Sequence, residues 1–129
     1  MAEDLIPIEI KQFILKSIDS IAQLEALLLL RNNPLEEWDA GKVARRLYIS
    51  EQETTLLLGR LCDEGFIVAK SDQTLRYQYQ PRTTELMQMV NQLAEIYAKQ
   101  LVPVTNLIHS KPRTRIREFA DAFKLRKDD

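Results

Sequence analysis

The chain has 129 residues, 45% of them hydrophobic and 29% charged, with a net charge of −1 and one cysteine. That length and balance describe one ordinary globular domain, large enough to bury a core. They leave no room for an internal disulfide or a cysteine-based metal cluster, and the longest apolar run, residues 26–30, is far too short to span a bilayer.

The N-terminus, MAEDLIPIEI, lacks the basic start and small-residue cleavage site of a secretion signal, so a cytoplasmic location is expected. Ile10, Phe13, Ile14, Ile18 and Ile21 then recur at three and four residues, the spacing of an amphipathic N-terminal helix. Asp19 or Ser20 is placed to cap a second helix, which Pro34 follows at a short distance. Its middle is apolar nearly all round, which puts it at the centre of the core. Residues 35–38 are expected to form a short strand.

Residues 39–79 carry the most information. Asp39 can cap a helix running through Lys42, Val43, Ala44 and Leu47, and Tyr48 with Ile49 makes a turn. Ser50 and Glu53 have the spacing of a capping box, in which each side chain takes the other's backbone N–H. The helix they open buries Thr54, Leu57, Leu58 and Leu61 and stops at Gly65, a residue suited to a left-handed C-terminal cap. Phe66, Ile67 and Val68 start a strand, residues 71–74 are turn material, and residues 75–79 return. Two helices, a tight turn and a hairpin in this order read as a winged helix-turn-helix.

After the hairpin, Thr83 or Thr84 can cap a long helix along which Leu86, Val90, Leu93, Tyr97 and Leu101 form one stripe. Pro103 should kink or restart it, and Val104, Leu107 and Ile108 continue the apolar face. The stripe packs against another helix, either in the same chain or in a partner. Beyond Lys111 and Pro112, a last helix is expected through Ile116, Phe119, Ala120 and Phe123.

The central block resembles the winged-helix domains of the MarR-like bacterial regulators. The resemblance rests on Val43-Ala44 and Leu47, on Ser50, and on Arg60-Leu61 followed by Glu64-Gly65-Phe66-Ile67. It implies a single, mainly α domain with a small β-hairpin wing. A winged helix-turn-helix core at residues 19–82 would be flanked by an N-terminal helix at 1–18 and by C-terminal dimerisation helices and a basic tail at 83–129. It also implies a homodimer, with Ile10, Phe13, Ile14, Leu86, Val90, Leu93, Tyr97, Leu101, Leu107 and Ile108 as candidate interface residues.

A DNA-binding transcriptional regulator is the expected function. Candidate contacts in the second helix of the motif are Ser50, Gln52 toward adenine, Glu53 toward cytosine N4, Thr55 toward a thymine methyl, Leu56 and Arg60. Lys42, Arg45 and Arg46 on the preceding helix, and Lys70 and Arg76 on the wing, are candidates for phosphate contacts. Leu56 stands where the family pattern prefers arginine. An apolar side chain rimmed by Gln52, Thr55 and Gly59 also suits a protein surface, so a winged helix that binds protein and not DNA stays open as the alternative. Charge is unevenly divided: residues 1–110 hold 11 Lys and Arg against 15 Asp and Glu, and residues 111–129 hold 7 against 4.

Nothing in the chain points to catalysis, a metal or a cofactor. His109 is the single histidine and lacks a cysteine or acid at ligand spacing. Asp63 and Glu64 beside Cys62 should raise its thiol pKa and blunt its reactivity. Trp38 is read as packing.

Overall fold

The computed structural model describes residues 6–111, which form six helices and one hairpin. The elements are α1 (Ile8–Ser17), α2 (Ile21–Arg31), α3 (Ala40–Leu47), α4 (Glu51–Asp63), β1 (Ile67–Ser71), β2 (Leu75–Tyr79), α5 (Thr84–Lys99) and α6 (Leu101–His109). The helix expected around Phe119, and all of the basic tail except Lys111, lie outside the described residues.

Side-chain caps set the starts of four helices. Ser20 Oγ accepts the Gln23 N–H at 3.1 Å, Asp39 Oδ1 the Lys42 N–H at 2.7 Å, Ser50 Oγ the Glu53 N–H at 3.0 Å, and Thr83 Oγ1 the Leu86 N–H at 3.0 Å. Each satisfies an orphan donor of a first turn and adds about 1 kcal/mol. At Ser50 this is the forward half of the expected capping box. The break between α5 and α6 falls at Gln100, and Pro103 sits in the first turn of α6, where a missing N–H costs little.

α2 is the central helix. Leu24, Ala26, Leu27 and Leu30 are fully buried, and Leu28 and Leu29 pack at the edge of the same core. Leu58 and Leu61 of α4, Val43 of α3, Ile10 and Ile14 of α1, and Val90 and Leu93 of α5 close around it. Phe13 meets Phe66 edge-on, with centroids 5.9 Å apart and planes at 85°, joining the N-terminal helix to the start of the wing. One apolar cluster therefore runs through both the winged core and the flanking helices.

The wing is an antiparallel ladder from Ile67↔Tyr79 to Ser71↔Leu75, closed by Asp72, Gln73 and Thr74. Residues 35–38 do not form the expected strand; Trp38 alone pairs, exchanging both backbone hydrogen bonds with Tyr77 at 2.8 and 2.7 Å. The reason is local. The Glu36 N–H turns back to the Asn33 carbonyl at 3.1 Å across Pro34, which has no N–H of its own, and Leu35 is left 92% exposed.

Candidate functional site

Tyr48 ends α3 in the left-handed conformation, with φ 59° and its N–H returned to the Ala44 carbonyl. This single reversed residue swings the chain so that α4, capped by Ser50, starts at Glu51 and crosses the core. Thr54, Leu57, Leu58 and Leu61 face inward, while Glu51, Gln52, Glu53, Thr55 and Leu56 face out, with Leu56 68% exposed. The hydroxyl of Thr55 donates to the Glu51 carbonyl at 2.9 Å, so what it offers outward is its methyl group and lone pairs. A groove of about 340 Å³ separates α4 from the wing and the start of α3, lined by Asp39, Gly41, Glu51, Thr55, Leu75 and Tyr77.

The candidate cations stand on α3, α4 and the wing, and most already have a carboxylate. Lys42 forms an ion pair with Glu36 and lies over the Trp38 ring, 4.6 Å from its centroid, with Arg46 over the same ring at 5.6 Å. On the wing, Lys70 Nζ is 3.2 Å and Arg76 Nη1 3.6 Å from the two oxygens of Glu37. A Cβ on Gly41 would meet Arg45 Nη1 and the Asp39 and Glu51 carboxylates, all within 3.5 Å. Arg60 pairs with Asp19 in the turn between α1 and α2. This directs it toward that turn.

Cys62 is half-buried, and burial first, then the Asp63 carboxylate, pushes its thiol pKa up. Desolvation is thus a larger cause than the neighbouring acids. Among the described residues no group of histidine, cysteine and acidic side chains could hold a metal ion.

No protein-family profile matches the chain, and no curated protein sequence does. Solved structures do resemble it. A transcriptional regulator from Thermotoga maritima superposes with a TM-score of 0.51 at 15% identity, covering 94% of this chain and 85% of its own. A MarR family protein from Bacillus stearothermophilus gives 0.50 at 17%, covering 93% and 81%. A mutant of ZitR from Lactococcus lactis gives 0.50 at 19%, covering 81% and 73%. The fold is the MarR-like winged helix.

Within that MarR-like fold the candidate interface residues separate into two groups. Ile10, Phe13, Ile14, Val90, Leu93, Tyr97 and Ile108 are buried in the chain's own core, and Leu86 and Leu107 are partly buried against it. Leu101 is 55% exposed, and Ile8 and Val102 are exposed as well. Of these three, Val102 lines a mainly apolar groove of about 480 Å³ between α1 and α6, with Ile6, Lys11, Pro103 and Leu107. Among the described residues no helix is long and apolar enough to cross a membrane.

The residues that sequence reasoning missed are acidic. Asp19, Glu36 and Glu37 organise the cations around α4, yet none of them belongs to an element of the helix-turn-helix. The Trp38, Lys42 and Arg46 spacing of four residues was the one visible sign, since it stacks both cations over one ring.

Proposed function

We propose that this chain is a DNA-binding transcriptional regulator of the MarR-like winged-helix type, acting in the cytoplasm as a homodimer. The observation that carries the reading is the setting of α4. Its outward face offers Gln52 and the Thr55 methyl, groups suited to base edges, with Lys42, Arg45 and Arg46 on the preceding helix and Lys70 and Arg76 on the wing as candidates for phosphates. The likeness to solved transcriptional regulators supports the same reading. The exposed apolar residues Ile8, Leu101 and Val102 on α1 and α6 support the dimer, because an apolar patch of this kind marks an interface.

Titration of the protein against a mixed-sequence duplex tests this at about 50 mM and about 200 mM salt; binding through phosphates weakens steeply between the two. Absence of binding at the lower salt overturns it.

One observation favours a second reading, in which α4 docks on protein. Leu56 is 68% exposed at the centre of the presented face, and Glu51 and Glu53 carry the same sign as a phosphate. Under this reading Leu56→Glu abolishes capture of the partner, and duplex DNA is not bound at either salt.

A further inference from the structure

Glu36 and Glu37 lie in no helix or strand, yet together they reach the cations of α3 and of the wing. The turn at Pro34 delivers them, and the backbone bonds of Trp38 to Tyr77 fix the dipeptide beside the wing. Lys70 and Arg76 are direct cross-strand partners, and the two oxygens of Glu37 each face one of them. Glu36 holds Lys42 in the first turn of α3. We propose that these two carboxylates are tethered counterions of the α3 and wing cations, which they occupy, and that they set the affinity of this region for polyanions and its salt dependence.

The energetics favour this role over a folding role. The side chains of all three pairs are 37–55% exposed, a setting in which an ion pair adds about 0–1 kcal/mol to stability. Competition with a polyanion is a different matter. A Lys or Arg that neutralises a phosphate releases cations condensed on the nucleic acid, and that release drives binding; each neutralised phosphate adds about −0.9 to the slope of log affinity against log salt. A tethered carboxylate cannot be diluted away. It stays at a high effective concentration beside the cation it lost, and beside the incoming phosphate. Wild-type protein should therefore show a shallower salt slope than its cations imply.

This deepens the DNA-binding reading and rests on it, so the test has two probes. Glu37→Gln, Glu36→Gln and Asp72→Asn are compared with wild type on mixed-sequence duplex and on immobilised heparin. Asp72 is the control: it lies in the wing turn, lines the same pocket as Glu37, and forms no ion pair with Lys70 or Arg76. Glu37→Gln frees two cations, so its slope should steepen by about 1–2, with affinity near 50 mM salt rising roughly tenfold. Glu36→Gln should give about half that slope change, since it frees Lys42 alone. On heparin both variants should elute at higher salt than Asp72→Asn.

Equal effects of Glu37→Gln and Asp72→Asn would reduce the observation to net charge and overturn the proposal, as would no change in Glu37→Gln. Later heparin elution of the Glu36 and Glu37 variants, with no protein binding the duplex, would uphold the tethered counterions and remove the DNA-binding reading.

Discussion

Gly65 turns the chain out of α4 and into the wing with φ 87°, a conformation in which an L side chain crowds its own carbonyl. An added Cβ would also stand 3.2 Å from the Arg82 guanidinium carbon. Gly65→Ala should therefore cost about 1–2 kcal/mol in urea unfolding, with the wing the first part to lose amide protection. Tyr97 gives a second prediction. Burial first, and then its hydrogen bond to Glu25 at 2.7 Å, push its phenol up to about 12 from the ordinary 10.0. The folded chain keeps a proton that the unfolded chain releases, so the stabilisation is complete below the ordinary value and is lost as pH rises through the interval between the two. Unfolding midpoints of the wild type should fall across that interval more steeply than those of Tyr97→Phe; parallel curves would contradict the assignment.

At the scale of elements, Asp19 is the joint. It accepts from buried Lys111 Nζ at 3.0 Å just beyond α6, and it pairs with Arg60 of α4, while Lys111 also donates to the Ile18 carbonyl at 2.6 Å. One carboxylate thus ties the end of the last described helix to the α1–α2 turn and to the presented helix. Removing it strands a buried ammonium, which costs about 3–5 kcal/mol, whereas an apolar side chain of similar volume in place of the lysine costs far less. Asp19→Ala should destabilise clearly more than Lys111→Met, as measured by denaturant midpoints, and Lys111→Met should partly rescue Asp19→Ala.

None of that joint is visible in spacing, since 92 residues separate its ends. What was legible in the sequence was local: Ser20, Asp39, Ser50 and Thr83 each cap their own first turn, and Gly65 answers a purely backbone demand. The missing strand at residues 35–38 was signalled only by Pro34: the Glu36 N–H turns back to the Asn33 carbonyl, and Trp38 alone is left to pair with Tyr77. The stripe through Val90, Leu93 and Tyr97 had the right period. A period says that a face is buried, however, and not whether the same chain or another covers it; here α1 and α6 of the same chain do, with Glu25 of α2 holding Tyr97.

On the scale of the whole molecule, one continuous core joins the winged block to α1, α5 and α6, so the presented helix and the exposed apolar face at α1 and α6 belong to one packed body. If that face carries the dimer, Val102→Glu should halve the mass seen by light scattering while leaving the helical content unchanged. A wild type already monomeric at the same concentration would contradict the dimer. The charge pattern belongs to this scale too: residues 1–110 are acidic on balance, and Lys42, Lys70 and Arg76 are each matched by a carboxylate within the fold. Any polyanion must therefore be recognised at a local face, against the sign of the body behind it.

That face is open to direct mapping. Adding a short mixed-sequence duplex and following the backbone amide resonances should move those of Gln52, Thr55 and Leu56 in α4, together with Asp72, Gln73 and Thr74 at the wing tip. Resonances of α4 and the wing that stay fixed, while others shift or none does, would contradict the account.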